Sequence, residues 1–138
     1  QDYYAAGIQG SMNFLVKYTP ATYNHGMALD ASYISNYPST VALTGDADNQ
    51  IKQIITQKYL AGFLQGADFN AWYEFRRTGY PQFKLNPSTN LNTPSAQFPV
   101  RWKYPQVELN NNADNYKAAN QSQYGGNDDV NQVMWLLK

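Results

Sequence analysis

The chain has no cysteine. That removes a disulfide framework and any thiolate metal site, while selecting no compartment. Histidine occurs once, as His25, so a metal site or a Ser-His-Asp unit would have to rely on that side chain alone. Glutamate is nearly as scarce, with only Glu74 and Glu108. Neither sign of charge is in excess: ten Lys and Arg balance ten Asp and Glu. Nothing in that balance points to nucleic acid or an anionic membrane surface. No apolar run approaches the roughly 18 residues that a spanning helix needs, and none reads as a secretory signal. GxSxG, HExxH, P-loop and GxGxxG motifs are missing, as are internal repeats and low-complexity tracts. Catalysis, a bound metal and a cofactor are therefore not expected.

What is present is tyrosine, asparagine and proline. A chain of 138 residues makes one domain at most, or part of one. Hydrophobic residues reach 43%, but 12 residues are Tyr. A buried Tyr needs a partner for its hydroxyl, so the core should carry polar seams. The 15 Asn read as loop and turn chemistry.

Helical periods dominate. Residues 2 to 17 carry the stripe Tyr4, Ile8, Met12 and Leu15. Gly7 and Gly10 lie between these and invite close approach of another helix. Pro20 ends the pattern. The stretch 21–30 is indistinct. Residues 31 to 37 allow one or two helical turns closed by Pro38, and Val41 to Leu43 bridge onward. The best-defined region is 51–81. There Ile51, Ile54, Ile55, Tyr59, Gly62 and Phe63 share a face. Asp46 and Asp48 complement the positive end of that helix. Gly62 and Gly66 mark a corner, and a second helix carries Phe69, Trp72, Tyr73 and Arg76 on one face. Gly79 can take a left-handed cap and Pro81 cannot continue the helix. Paired helices at a glycine corner are thus the expected spine.

Residues 82–99 have no period and read as an irregular loop pinned by Phe83, Leu85, Leu91 and Phe98. Val100 to Trp102 read as extended, Tyr104-Pro105 as a turn, 108–115 as Asn-rich turns, and 115–119 as one or two helical turns. Gly125-Gly126 break the chain. A last helix is expected over 127–137, capped by Asn127 with Asp128 and Asp129 in its first turn and Val130, Val133, Met134 and Leu137 as its stripe. The expected class is mainly α, an irregular helical domain with long Pro- and Asn-rich loops.

Several residue types invite a site. Arg76 can stack on Trp72 and Phe69 or meet a carboxylate such as Glu108, while Arg77 lies three residues after Glu74, a surface-pair spacing. Structural roles fit both arginines better than a ligand clamp, since adjacent helical side chains diverge by about 100°. Trp72, Trp102 and Trp135 raise sugar stacking. Core packing is the favoured role of Trp72 and Trp135, and Trp102, beside loops, is the better surface candidate together with Tyr104. Residues 46–50 resemble the start of a calcium loop, but Ile51 stands where Gly is required and Gln57 where Glu is required. Residues 126–129 could hold a cation, with capping the simpler role. Glu74 and Glu108 could pair as glycosidase carboxylates only if the fold set them across a cleft.

Three ordered blocks also carry a resemblance. IITQKYLAGF with AWYEFRRTGYPQF, then PVRWKYPQVE, then NNNADNYKAA, resemble the C-terminal blocks of the SusD/RagB family, in its RRTGYP-bearing subgroup, from about Tyr3 to the end. The resemblance makes Trp72, Arg76, Arg77, Gly79, Tyr80, Pro81, Tyr104, Pro105 and Glu108 a fold signature. It implies a non-catalytic, nutrient-binding lipoprotein of the outer membrane's outward-facing surface that captures oligosaccharides or other nutrients. Its partner would be a SusC-type TonB-dependent transporter. Family members are longer, so this chain resembles a C-terminal portion. The helical repeats, the lipid anchor and most glycan contacts would lie elsewhere, and these residues would be mainly scaffold. The alternatives are a carbohydrate hydrolase using Glu74 and Glu108, or a segment inert without the rest of its parent.

Overall fold

Carboxylates open two of the helices. Asp30 and Asp46 sit in extended backbone, and each accepts the N–H three residues on, at 2.7 Å from Tyr33 and 2.9 Å from Asn49. Each bond satisfies a donor that the first helical turn leaves unpaired. For Asp46 this is the helix-start role expected of it. The computed structural model describes residues 1–19, 29–63 and 65–137, residue 68 without its side chain. The readings of Pro20, of 21–28 and of His25 lie outside the described residues, as does residue 64.

Among the described residues six α-helices follow: α1 (Asp2–Tyr18), α2 (Ala31–Thr40), α3 (Ala47–Gly62), α4 (Asp68–Thr78), α5 (Gln106–Asn111) and α6 (Ala113–Tyr124), then a 3-10 turn over Trp135–Leu137. Among the described residues there is no strand. Two compact units result, Gln1–Gln82 and Phe83–Lys138.

In the first unit, α1 packs on α2 and α3, and α3 on α4. One isoleucine from each of three helices is buried: Ile8, Ile34 and Ile55. The α1 stripe lies as its period requires, with Tyr4, Met12 and Leu15 half-buried around Ile8. Polar seams run through this core. The Tyr4 hydroxyl donates to the Val41 carbonyl at 2.9 Å, and Tyr37 and Gln57 lie 3.4 Å apart.

The structure corrects four expectations here. A Cβ added at Gly7 or Gly10 would meet nothing within 4 Å, so no described helix approaches them. Pro38 does not close α2, which runs on to Thr40. The ring is buried, offsetting the lost N–H donor, and Thr40 Oγ1 donates to the Tyr37 carbonyl at 2.7 Å. On α3, Ile55 is buried but Ile51 and Ile54 are exposed, as is Phe63 at the C-cap. On α4, Phe69 and Tyr73 are exposed, and the covered side is turned toward Ala71, Trp72, Phe75 and Arg76. Periodicity gives the pitch of a face, whereas its direction depends on what packs against it.

In the second unit, α5 packs on α6. The Asn-rich run is helical, not a series of turns. Asn112 separates the helices and ties them, donating to Glu108 Oε2 at 2.9 Å and accepting from Asn115 at 2.6 Å. Weak intrinsic propensity is overridden by such local bonds. Pro105 is the residue before the first turn of α5, and Gly125, at φ +64°, caps α6. The loop from 82 is irregular, with Phe83 stacked on Phe98 at 5.2 Å, but Leu91 is almost wholly exposed and pins nothing. The helix expected over 127–137 is absent: only Trp135–Leu137 make a 3-10 turn.

Candidate functional site

The signature of the first unit closes a helical hairpin. Its bonds run in antiparallel register. At the open end, the Tyr80 hydroxyl donates to Asp48 Oδ2 at 2.7 Å. Midway, Lys58 pairs with Glu74. At the corner, a Cβ on Gly62 would stand 3.4 Å from the Ala67 Cβ, and Gly66 takes φ +73°. Arg77 completes the Glu74 pair at 2.6 Å. Hydrogen bonds from Lys58 and then Arg77 hold the Glu74 carboxyl below its usual range, the opposite of what a proton-donating glycosidase acid needs. Glu108 accepts the Asn112 amide. Arg76 lies over the Trp72 ring at 4.4 Å, and Gly79 takes φ +78° as the left-handed cap of α4. Thr78 Oγ1 accepts from the Tyr80 N–H at 3.1 Å, and Pro81 is buried.

The second unit is organised around a residue that sequence reasoning passed over. Arg101, in the Pro-x-Arg-x-x-Tyr-Pro block, is 3% exposed. Val100 and Arg101 both donate their N–H to the Val130 carbonyl, at 2.9 and 3.1 Å, which draws the segment inward. The guanidinium then pairs with Asp128 and donates to the Asp129 carbonyl at 2.9 Å. Its Cζ lies over the Tyr124 ring, 4.0 Å from the ring centre, and 5.6 Å from the centre of the Tyr104 ring. Tyr104 meets Tyr116 edge-on at 5.4 Å. The second Asp128 oxygen accepts the Tyr104 N–H at 3.1 Å. Asp128 is therefore no helix-start acid, because its carboxylate is committed to a buried cation. Asp129 instead accepts the Asn131 N–H at 2.7 Å in a local turn. The only signal for this centre in the sequence was an arginine three residues before a tyrosine, with an Asp-Asp pair further along the chain.

Of the two candidate ligand residues, Tyr104 faces the Arg101 cluster and is half-buried, while Trp102 is 63% exposed. Trp135, expected in the core, is 68% exposed, because the helix that would have turned it inward does not form. Beside Trp102's segment, asparagines brace the loop: Asn92 donates to Asn131 at 2.7 Å, and Asn131 to the Thr93 carbonyl at 2.9 Å. Among the described residues, no group of three or more His, Cys, Asp or Glu comes together to hold a metal. The first unit also holds an apolar groove of about 210 Å³, lined by Ile8, Met12, Leu15, Tyr33 and Leu60 among others.

Comparison with known proteins gives consistent results. A family model described as SusD-like, Susd and RagB outer membrane lipoprotein, matches residues 1–137. The chain is similar to a SusD homologue of Bacteroides fragilis NCTC 9343, at 37% identity and a TM-score of 0.88, over 99% of this chain and 30% of that one. It is similar to an outer membrane protein of Bacteroides vulgatus ATCC 8482 linked to nutrient binding, at 34% identity and 0.77, over 99% and 28%. It is also similar to a chitin-binding protein, at 25% identity and 0.74, over 97% and 27%. The chain thus spans under a third of the length of these solved relatives. No curated protein matches it.

Proposed function

Because this chain belongs to the SusD-like family of outer membrane lipoproteins, we propose that its parent captures nutrients, oligosaccharides foremost, at the outward-facing surface of the outer membrane. The parent delivers them to a SusC-type TonB-dependent transporter. Membrane attachment comes from a lipid outside residues 1–138. No helix among the described residues is long and apolar enough to cross a membrane. Capture makes and breaks no bond. Selectivity comes from stacking on aromatic faces and from many weak hydrogen bonds.

The observation that carries this reading within the chain is Trp102: a large exposed ring on a segment whose neighbours are anchored by a buried ion pair. A flat indole held in this way suits the apolar face of a pyranose. Similarity to a chitin-binding protein supports the ligand class. Glu74, paired with Lys58 and Arg77, is unsuited to the proton-donating role that glycoside hydrolysis requires. The signature residues act as scaffold, each within its own unit.

A glycan array followed by calorimetry on the parent, with hexamers of β-1,4-linked N-acetylglucosamine and glucose, tests the reading. Trp102→Ala should weaken binding by about tenfold, the order expected for loss of one aromatic face. Unweakened binding removes Trp102 from the site. No binding to any glycan of the array overturns the carbohydrate reading.

A further inference from the structure

Asp128 occupies an unusual position relative to Trp102. One of its oxygens takes the guanidinium of Arg101, the residue before the tryptophan. The other accepts the N–H of Tyr104, two residues after it. A single carboxylate thus grips the chain on both sides of one exposed ring. Arg101 cannot drift, because it is 3% exposed, stacks 4.0 Å from Tyr124 and donates also to the Asp129 carbonyl. Tyr104 is held in turn by its edge contact with Tyr116. Charge-assisted bonds in such a dry setting are short and directional.

We propose that Asp128 is a positioning residue: a two-sided clamp that sets the backbone of residues 101–104 so that Trp102 is presented as a fixed platform for the apolar face of a sugar ring. The inference rests on the reading of Trp102 as a binding residue. Its physical basis is preorganisation. A ring already held in place loses less freedom when a ligand stacks on it, so the clamp raises affinity without touching the ligand.

The test uses the intact parent labelled with fluorotryptophan, the Trp102 resonance being the one lost in Trp102→Phe. Asp128→Ala should shift and sharpen that resonance as the ring gains motion. Asp128→Asn, which keeps an acceptor for the Tyr104 N–H, should restore part of the original signal. Should Asp128→Ala fail to fold, Arg101→Met with Asp128→Leu removes the clamp without leaving either charge buried alone. In calorimetry with the hexamer of N-acetylglucosamine, Asp128→Ala should weaken binding several-fold in the native protein. It should do nothing further in Trp102→Ala, the non-additivity expected of groups acting through one another. A Trp102 resonance unmoved by loss of the clamp overturns the inference, whatever the binding shows. A moved resonance in a parent that binds no glycan supports the clamp and refutes the carbohydrate reading.

Discussion

Removing Arg101 should be far more damaging than removing its whole ion pair. The guanidinium is 3% exposed and the Asp128 side chain 13%, so solvent screens this pair little. Arg101→Met keeps most of the volume but strands the Asp128 carboxylate with the Tyr104 N–H as its remaining partner among those described. Breaking one side of a buried pair costs about 3–5 kcal/mol. Loss of the cation over Tyr124 adds about 0.5–2 kcal/mol. Arg101→Met with Asp128→Asn removes both charges and retains an acceptor for Tyr104, so most of that loss should return, leaving about 1 kcal/mol. Urea denaturation of the parent, read by tryptophan fluorescence, measures all three proteins. If Arg101→Met alone is as mild as the double change, the pair is not buried in the way described and the centre of the second unit is misassigned.

Glycine substitutions should separate backbone strain from space. Gly79→Ala meets no atom within 4 Å but keeps φ +78°, so it should destabilise by about 1–2 kcal/mol, whereas Gly7→Ala, in open helix, should stabilise by about 0.5–1 kcal/mol; thermal melts decide both. Ile55→Ala should cost about 2–5 kcal/mol and Ile54→Ala much less, since the first is 5% exposed and the second 41%; equal losses would return Ile54 to the core. Glu74 is charged to lower pH when folded than when unfolded. Its contribution is therefore complete above its ordinary value of 4.5 and is lost as pH falls through the folded value. Glu74→Gln should flatten that part of the stability–pH curve, by no more than about 1 kcal/mol because Lys58 and Arg77 are largely exposed.

Much of the hairpin was legible because its instructions are local. Asp46 caps the helix it precedes, Gly66 and Gly79 take positive φ where a turn or cap demands it, and Arg77 pairs with Glu74 one helical turn away. The second unit was misread where local rules were outbid. The stretch 127–137 has a helix's cap and stripe, yet Asp128 is drawn away by Arg101, 27 residues earlier. Asparagines in 110–115 look like turns, yet they bond one another and Glu108 across successive helical turns.

Composition and spacing thus determined a chain of helices. They also carried its family, because caps, glycine conformations and i to i+4 pairs depend on neighbours a few residues away. Only the tertiary structure decided which faces are covered, that Trp135 points outward, and that one buried arginine organises the end of the chain. Those outcomes depend on charge desolvation and packing between residues far apart in sequence, which no local pattern encodes.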